Sequence, residues 1–142
     1  MAAAKAFSEQ AVYESIGAMM RAAAEAAVLE AEKLHCFALD FSEESLGYLD
    51  AILAHAALSS TLDVERQTKL WGGYFGETLR ALYGGEWEFT QYPQSTTAVP
   101  TLLVRGAKVY PLMKVYRRLT LGEGERVDSF YAMLKQKLGE AG

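Results

Sequence analysis

Apolar side chains recur at three- and four-residue steps along most of this chain, and the spacing changes to alternation once, just after a pair of glycines. Residues 9–34 are rich in Ala, Glu, Met and Leu and hold no proline. They predict a long first helix with Val12, Ile16, Met19, Met20, Val28 and Leu29 on its larger apolar positions. Phe37 to Phe41 alternates briefly and meets Ser42-Glu43-Glu44, a hydroxyl cap followed by two acids, so a second helix is expected from Glu43. Its buried stripe is Leu46, Leu49, Ile52, Leu53 and Ala56. A third helix, capped by Ser60 or Thr61, carries Leu62, Trp71, Phe75, Leu79 and Leu82 and stops at Gly84-Gly85.

Beyond that stop, Trp87 and Phe89 fall on one face and Glu86, Glu88 and Thr90 on the other, the pattern of a half-buried strand. Residues 101–104 and 107–110 then predict a hairpin turning at Arg105-Gly106. Pro111 suits the first position of a helix bearing Leu112, Val115, Tyr116 and Leu119. Gly122-Glu123-Gly124 interrupts it, and Val127, Phe130, Tyr131, Leu134 and Leu138 form the last stripe. These elements predict one α+β domain over residues 1–142: N-terminal helices, a small antiparallel sheet of about three strands, then C-terminal helices. The first few residues are expected to be disordered.

Gly72, Gly73 and Gly76 break the logic of the third helix, since each costs about 0.5–1 kcal/mol relative to alanine in a helix interior. They lack the strand-to-helix context and the Lys-Ser/Thr ending of a phosphate loop, so close packing by a neighbouring backbone is the favoured reading. Glu77 follows directly and lies three residues before Arg80. The pair is either a semi-buried acid or base with an anion-holding arginine in a glycine-lined recess, or an ion pair that supports structure.

The net charge of −4 conceals a gradient: residues 1–60 carry −6, residues 61–97 carry −2 and residues 98–142 carry +4. An acidic chain argues against nucleic-acid binding, which draws its affinity from phosphate neutralisation. Within the basic third, Arg105, Lys108, Lys114, Arg117 and Arg118 could gather into a patch that binds an acidic protein surface or a phosphorylated ligand. Alternatively Arg117 and Arg118 solvate their helix and pair with the acidic half of the same molecule.

One cysteine, Cys36, fits a reducing compartment and with it the cytoplasm. Adjacent His35 and Cys36, with Asp40 and His55, make poor chelating geometry, so no metal and no cofactor are expected. No apolar run approaches the roughly 20 residues that span a bilayer, so no membrane association is expected.

Three blocks together resemble a known group: residues 39–46 with Leu49-Asp50; Gly73-Tyr74-Phe75-Gly76-Glu77 through Trp87; and Pro111 with Val115-Tyr116-Arg117-Arg118-Leu119, Gly122-Glu123 and Phe130-Tyr131. The chain over about residues 37–138 is similar to small bacterial proteins known only as a domain of unknown function. The resemblance implies bacterial origin and an α+β fold, and it carries over no catalytic residue. With no complete catalytic motif in the sequence, the leading expectation is a non-enzymatic protein-interaction or regulatory module, immunity-like in kind, contacting its partner through the basic hairpin and helix. The alternatives are a small-molecule enzyme or binder built on Glu77, and a structural homodimer that self-associates through the Ala-rich first helix.

Overall fold

The computed structural model describes residues 15–139. Helix α1 (Ile16–Glu30) begins at Ser15, whose Oγ accepts from the Ala18 N–H at 3.1 Å. It widens into a π turn over Ala31–His35 and ends on Cys36 in the left-handed region, φ 60°. Then follow α2 (Ser45–Ala56), α3 (Val64–Tyr83), strands β1 (Glu86–Gln91), β2 (Ala98–Val104) and β3 (Ala107–Val109), α4 (Pro111–Leu121), a 3₁₀ turn (Glu123–Glu125) and α5 (Val127–Leu138). The architecture is α+β, with helices on both chain sides of a three-stranded antiparallel sheet of order β1-β2-β3. The expected disorder of the first residues, and the part of the first helix before Ser15, lie outside the described residues.

Two helix starts shift from expectation. Ser42 caps as expected, its Oγ accepting from the Ser45 N–H at 3.2 Å, but α2 starts at Ser45, two residues late, because the chain opens with i to i+3 bonds from the Ser45 and Leu46 N–H groups to the Ser42 and Glu43 carbonyls. The cap of α3 is Asp63, whose Oδ1 accepts from the Arg66 N–H at 3.1 Å. The Ser59 and Thr61 hydroxyls bond each other instead. Between α1 and α2, Phe41 turns left-handed at φ 63°, and its N–H donates to the Tyr74 hydroxyl at 2.8 Å.

Helix α3 stands at the centre, and its glycines admit three neighbours on different sides. A Cβ at Gly73 would lie 2.7 Å from the Ala23 Cβ of α1, and one at Gly72 would lie 2.7 Å from the Leu112 Cα of α4. One at Gly76 would overlap the Trp87 ring of β1. The alanine face of α1 is thereby spent inside the molecule, with Ala22, Ala23, Ala24 and Ala27 all buried. In the sheet, Trp87, Leu102 and Val109 align in one row beneath the helices. Phe89 shares that face opposite Pro100 yet is 57% exposed, because the helical cover reaches Trp87 and stops short of it. Arg105 and Gly106 both take positive φ, 48° and 79°, the signature of a primed two-residue hairpin turn. Among the described residues no helix is long and apolar enough to cross a membrane.

Candidate functional site

The five cations expected to form one patch, Arg105, Lys108, Lys114, Arg117 and Arg118, are divided among four places. Arg118 is 3% exposed and faces inward, donating Nε and Nη2 to the two carboxylate oxygens of Asp50 in α2 at 3.0 and 3.2 Å. Asp50 Oδ1 also accepts from the Val127 N–H at 2.8 Å, so one buried carboxylate ties α2 to α4 and to the start of α5. Arg105 lies over the Tyr83 ring at 5.0 Å and donates to the Leu138 carbonyl at 2.8 Å, which complements the C-terminal end of α5. Lys108 is exposed on β3, paired in register with Leu103.

Lys114 and Arg117 alone come together. Pro111 opens α4 directly after β3, and the three-residue spacing puts both side chains on one helix face. Gly122, at φ 94°, ends α4 and lets the 3₁₀ turn bring Glu125 back against them. Glu125 Oε1 accepts from Lys114 Nζ and from Arg117 Nε, both at 2.9 Å, and Oε2 accepts from Arg117 Nη2 at 3.0 Å. The Arg117 and Lys114 hydrogen bonds hold the Glu125 carboxyl down at about 2. The Arg117 guanidinium is raised in return, first by the hydrogen bond to Glu125 and then by its charge.

Beside this triad lies a hollow of about 260 Å³, lined by Tyr92, Tyr110, Met113 and Phe130 together with the three charged residues. The Tyr92 and Tyr110 rings meet edge to face at 5.1 Å, and Lys114 Nζ stands 5.2 Å over the Phe130 ring. Two cations share one carboxylate here, so the hollow has a net charge of about +1 above an aromatic floor. It can accept an anion and a flat apolar group together. Tyr92, Tyr110, Met113 and Glu125 were not singled out by sequence, and Phe130 stood out only as part of a helix stripe. The available signal was the placement of Tyr92 and Tyr110, each directly before a proline at an end of the sheet.

No protein-family model matches this chain, and neither curated proteins nor solved structures give a match. These comparisons leave the expected resemblance to a bacterial domain of unknown function untested.

Glu77 and Arg80 do pair, Oε2 to Nε at 3.1 Å, and the same Oε2 accepts from the Trp87 indole N–H at 2.7 Å. The carboxylate thus holds the indole that lies across Gly76. A recess of about 420 Å³ alongside is lined by Arg80, Trp87, Arg21 and Glu86 among others.

A wider cleft of about 480 Å³ opens where the π turn, the end of α2 and the start of α3 meet. His35 and His55 face each other there, edge to face at 5.9 Å, and His35 meets the buried Trp71 ring at the same distance. Glu30 pairs with Arg66 at 3.0 Å on one wall. Among the described residues no three His, Cys, Asp or Glu side chains cluster as a metal would need. Burial, followed by the neighbouring His55, lowers the His35 pKa below its ordinary 6.5, and Glu30 opposes the shift.

The unfolded chain therefore takes up a proton at His35 at higher pH than the folded chain does. The His35 contribution to stability is complete above pH 6.5 and is lost as pH falls below it toward the lowered folded value. Urea midpoints measured from pH 7.5 down to pH 5.5 should fall in the wild type, and the fall should be shallower in His35→Gln. Parallel curves for the two proteins would contradict this assignment.

Proposed function

We propose that this chain is a protein-interaction module that binds a negatively charged segment of its partner at the hollow between α4, the 3₁₀ turn and α5. The supporting observation is the convergence of Lys114 and Arg117 on the single Glu125 carboxylate beside three aromatic rings. That arrangement leaves a surplus cation at the rim of an aromatic cavity. Its volume falls below the roughly 300–1,000 Å³ of typical small-molecule sites and suits one anchoring side chain from a larger partner. A cytoplasmic, regulatory or immunity-like role is compatible with such a surface.

Random peptides displayed on phage and selected on the wild-type protein should become enriched in Asp and Glu. The selected peptides should lose at least about tenfold in affinity for Arg117→Glu, in line with reversing a charge that bonds the ligand directly. The Arg117 side chain is 45% exposed, and surface ion pairs contribute little to stability, so circular dichroism and melting temperature should stay near wild type. Enriched peptides that bind Arg117→Glu as tightly as wild type, or no enrichment in acidic residues, would refute the reading.

A further inference from the structure

Building on the proposal of an acid-binding hollow, we infer that its occupant is the C-terminal residue of a polypeptide ending in Phe, Tyr or Trp. The ring would enter among Tyr92, Tyr110 and Phe130, and the terminal carboxylate would take the position now held by Glu125.

Three observations carry this. The protein already presents a carboxylate to these cations in a two-oxygen arrangement, with Arg117 Nε and Nη2 reaching one oxygen each and Lys114 adding a third bond. Planar bidentate pairing of this kind is specific for carboxylate and phosphate, so Glu125 marks where a ligand oxyanion would sit. Second, the remaining walls are ring faces and edges with the flexible Met113 thioether, suited to an aromatic guest approaching offset or edge-on. A purely acidic side chain such as Asp would leave that apolar surface wet. Third, Glu125 belongs to a three-residue turn flanked by Gly122 and preceded by Gly124, where an added Cβ meets nothing within 4 Å at either glycine. The resident carboxylate, 20% exposed, is held by its two cations, while the turn that carries it has free space at both glycines.

Glu125 is then an internal competitor: a ligand binds by displacing it from Arg117, and its own affinity is reduced by that exchange. Removing the Glu125 charge should free both cations and tighten binding. A purely structural Glu125 predicts the reverse, a weaker fold with no gain in binding.

The test uses four probes on the full chain, followed by isothermal titration and by NMR shifts of the residues around the hollow. They are a hexapeptide ending in Phe with a free carboxylate, the same peptide amidated, the same peptide ending in Ala, and free N-acetylphenylalanine. The Phe acid peptide should bind, and the amide and Ala peptides should each bind at least about tenfold more weakly. Glu125→Gln should bind the Phe acid peptide several-fold more tightly than wild type, and Arg117→Leu should lose it. N-acetylphenylalanine binding as tightly as the peptide would overturn the assignment to a polypeptide end in favour of a free aromatic acid. Equal binding of the Phe and Ala acids would overturn the aromatic requirement. Acidic peptides without a terminal aromatic that still depend on Arg117 would leave the broader protein-interaction reading standing while this inference fails. Weaker binding to Glu125→Gln would refute the competitor role.

Discussion

Asp50→Ala should lower the stability of the protein by about 3–5 kcal/mol, the largest loss expected from any single polar substitution in the molecule. The Asp50 side chain is 1% exposed and that of Arg118 is 3% exposed, so removing the carboxylate strands a buried guanidinium and takes away its main neutralising charge. It also strips the Val127 N–H of its acceptor, and a buried unsatisfied donor costs about 1–3 kcal/mol within that total. Glu123 and Arg126 lie near the pair, at 3.7 Å from Arg118 and 3.8 Å from Asp50, and the largely exposed Glu123 compensates little. Urea unfolding followed by circular dichroism measures the loss. The double variant Asp50→Leu with Arg118→Met should recover much of it, since matched apolar replacement of a buried pair is often neutral or favourable. A loss below about 1 kcal/mol for Asp50→Ala would mean that water reaches the pair and screens it.

Glycine substitutions should separate packing from helix propensity. Gly47 in α2 has nothing within 4 Å of an added Cβ, so Gly47→Ala should stabilise the protein by about 0.5–1 kcal/mol through backbone entropy alone. Gly72→Ala gains the same propensity but drives a methyl to 2.7 Å from the Leu112 backbone, which can move only with α4. The overpacking penalty of about 1–3 kcal/mol should win and leave the variant less stable than wild type. Gly76→Ala should also be destabilising, with the added signature of a shifted Trp87 fluorescence, because the methyl displaces the indole from Glu77. Thermal melts of the three variants decide the matter; stabilisation at Gly72 would refute the close approach of α4.

The fold was legible wherever a pattern repeats over several turns. Apolar spacing located all the described helices, the glycine cluster of α3 was readable as close packing, and the double glycine marked the change from helix to strand. Helix starts were less legible. Ser60, Thr61 and Asp63 are all competent caps for α3, and the three-dimensional arrangement selects Asp63 while Thr61 bonds Ser59. The π turn after α1 left no sequence mark, since its residues Ala31–His35 are ordinary helix formers.

The site was half legible. A run of five cations was evident, but a one-dimensional cluster does not say which way each side chain points. Arg117 and Arg118 are neighbours in sequence and about 100° apart around their helix, so one reaches the rim of the hollow while the other is buried against α2. The aromatic wall comes from residues 92, 110 and 130, brought together by the sheet and by α5, with no shared motif to announce them.

The Asp50 clamp also has a consequence in time. Its partners lie 68 and 77 residues further along the chain, on α4 and at the start of α5. Helices α1 and α3 can begin to pack as soon as they emerge, whereas α2 carries an acid whose counter-charge comes only with residue 118 and whose last hydrogen bond comes with residue 127. Synthesis in this order makes α2 a late-closing element of the fold.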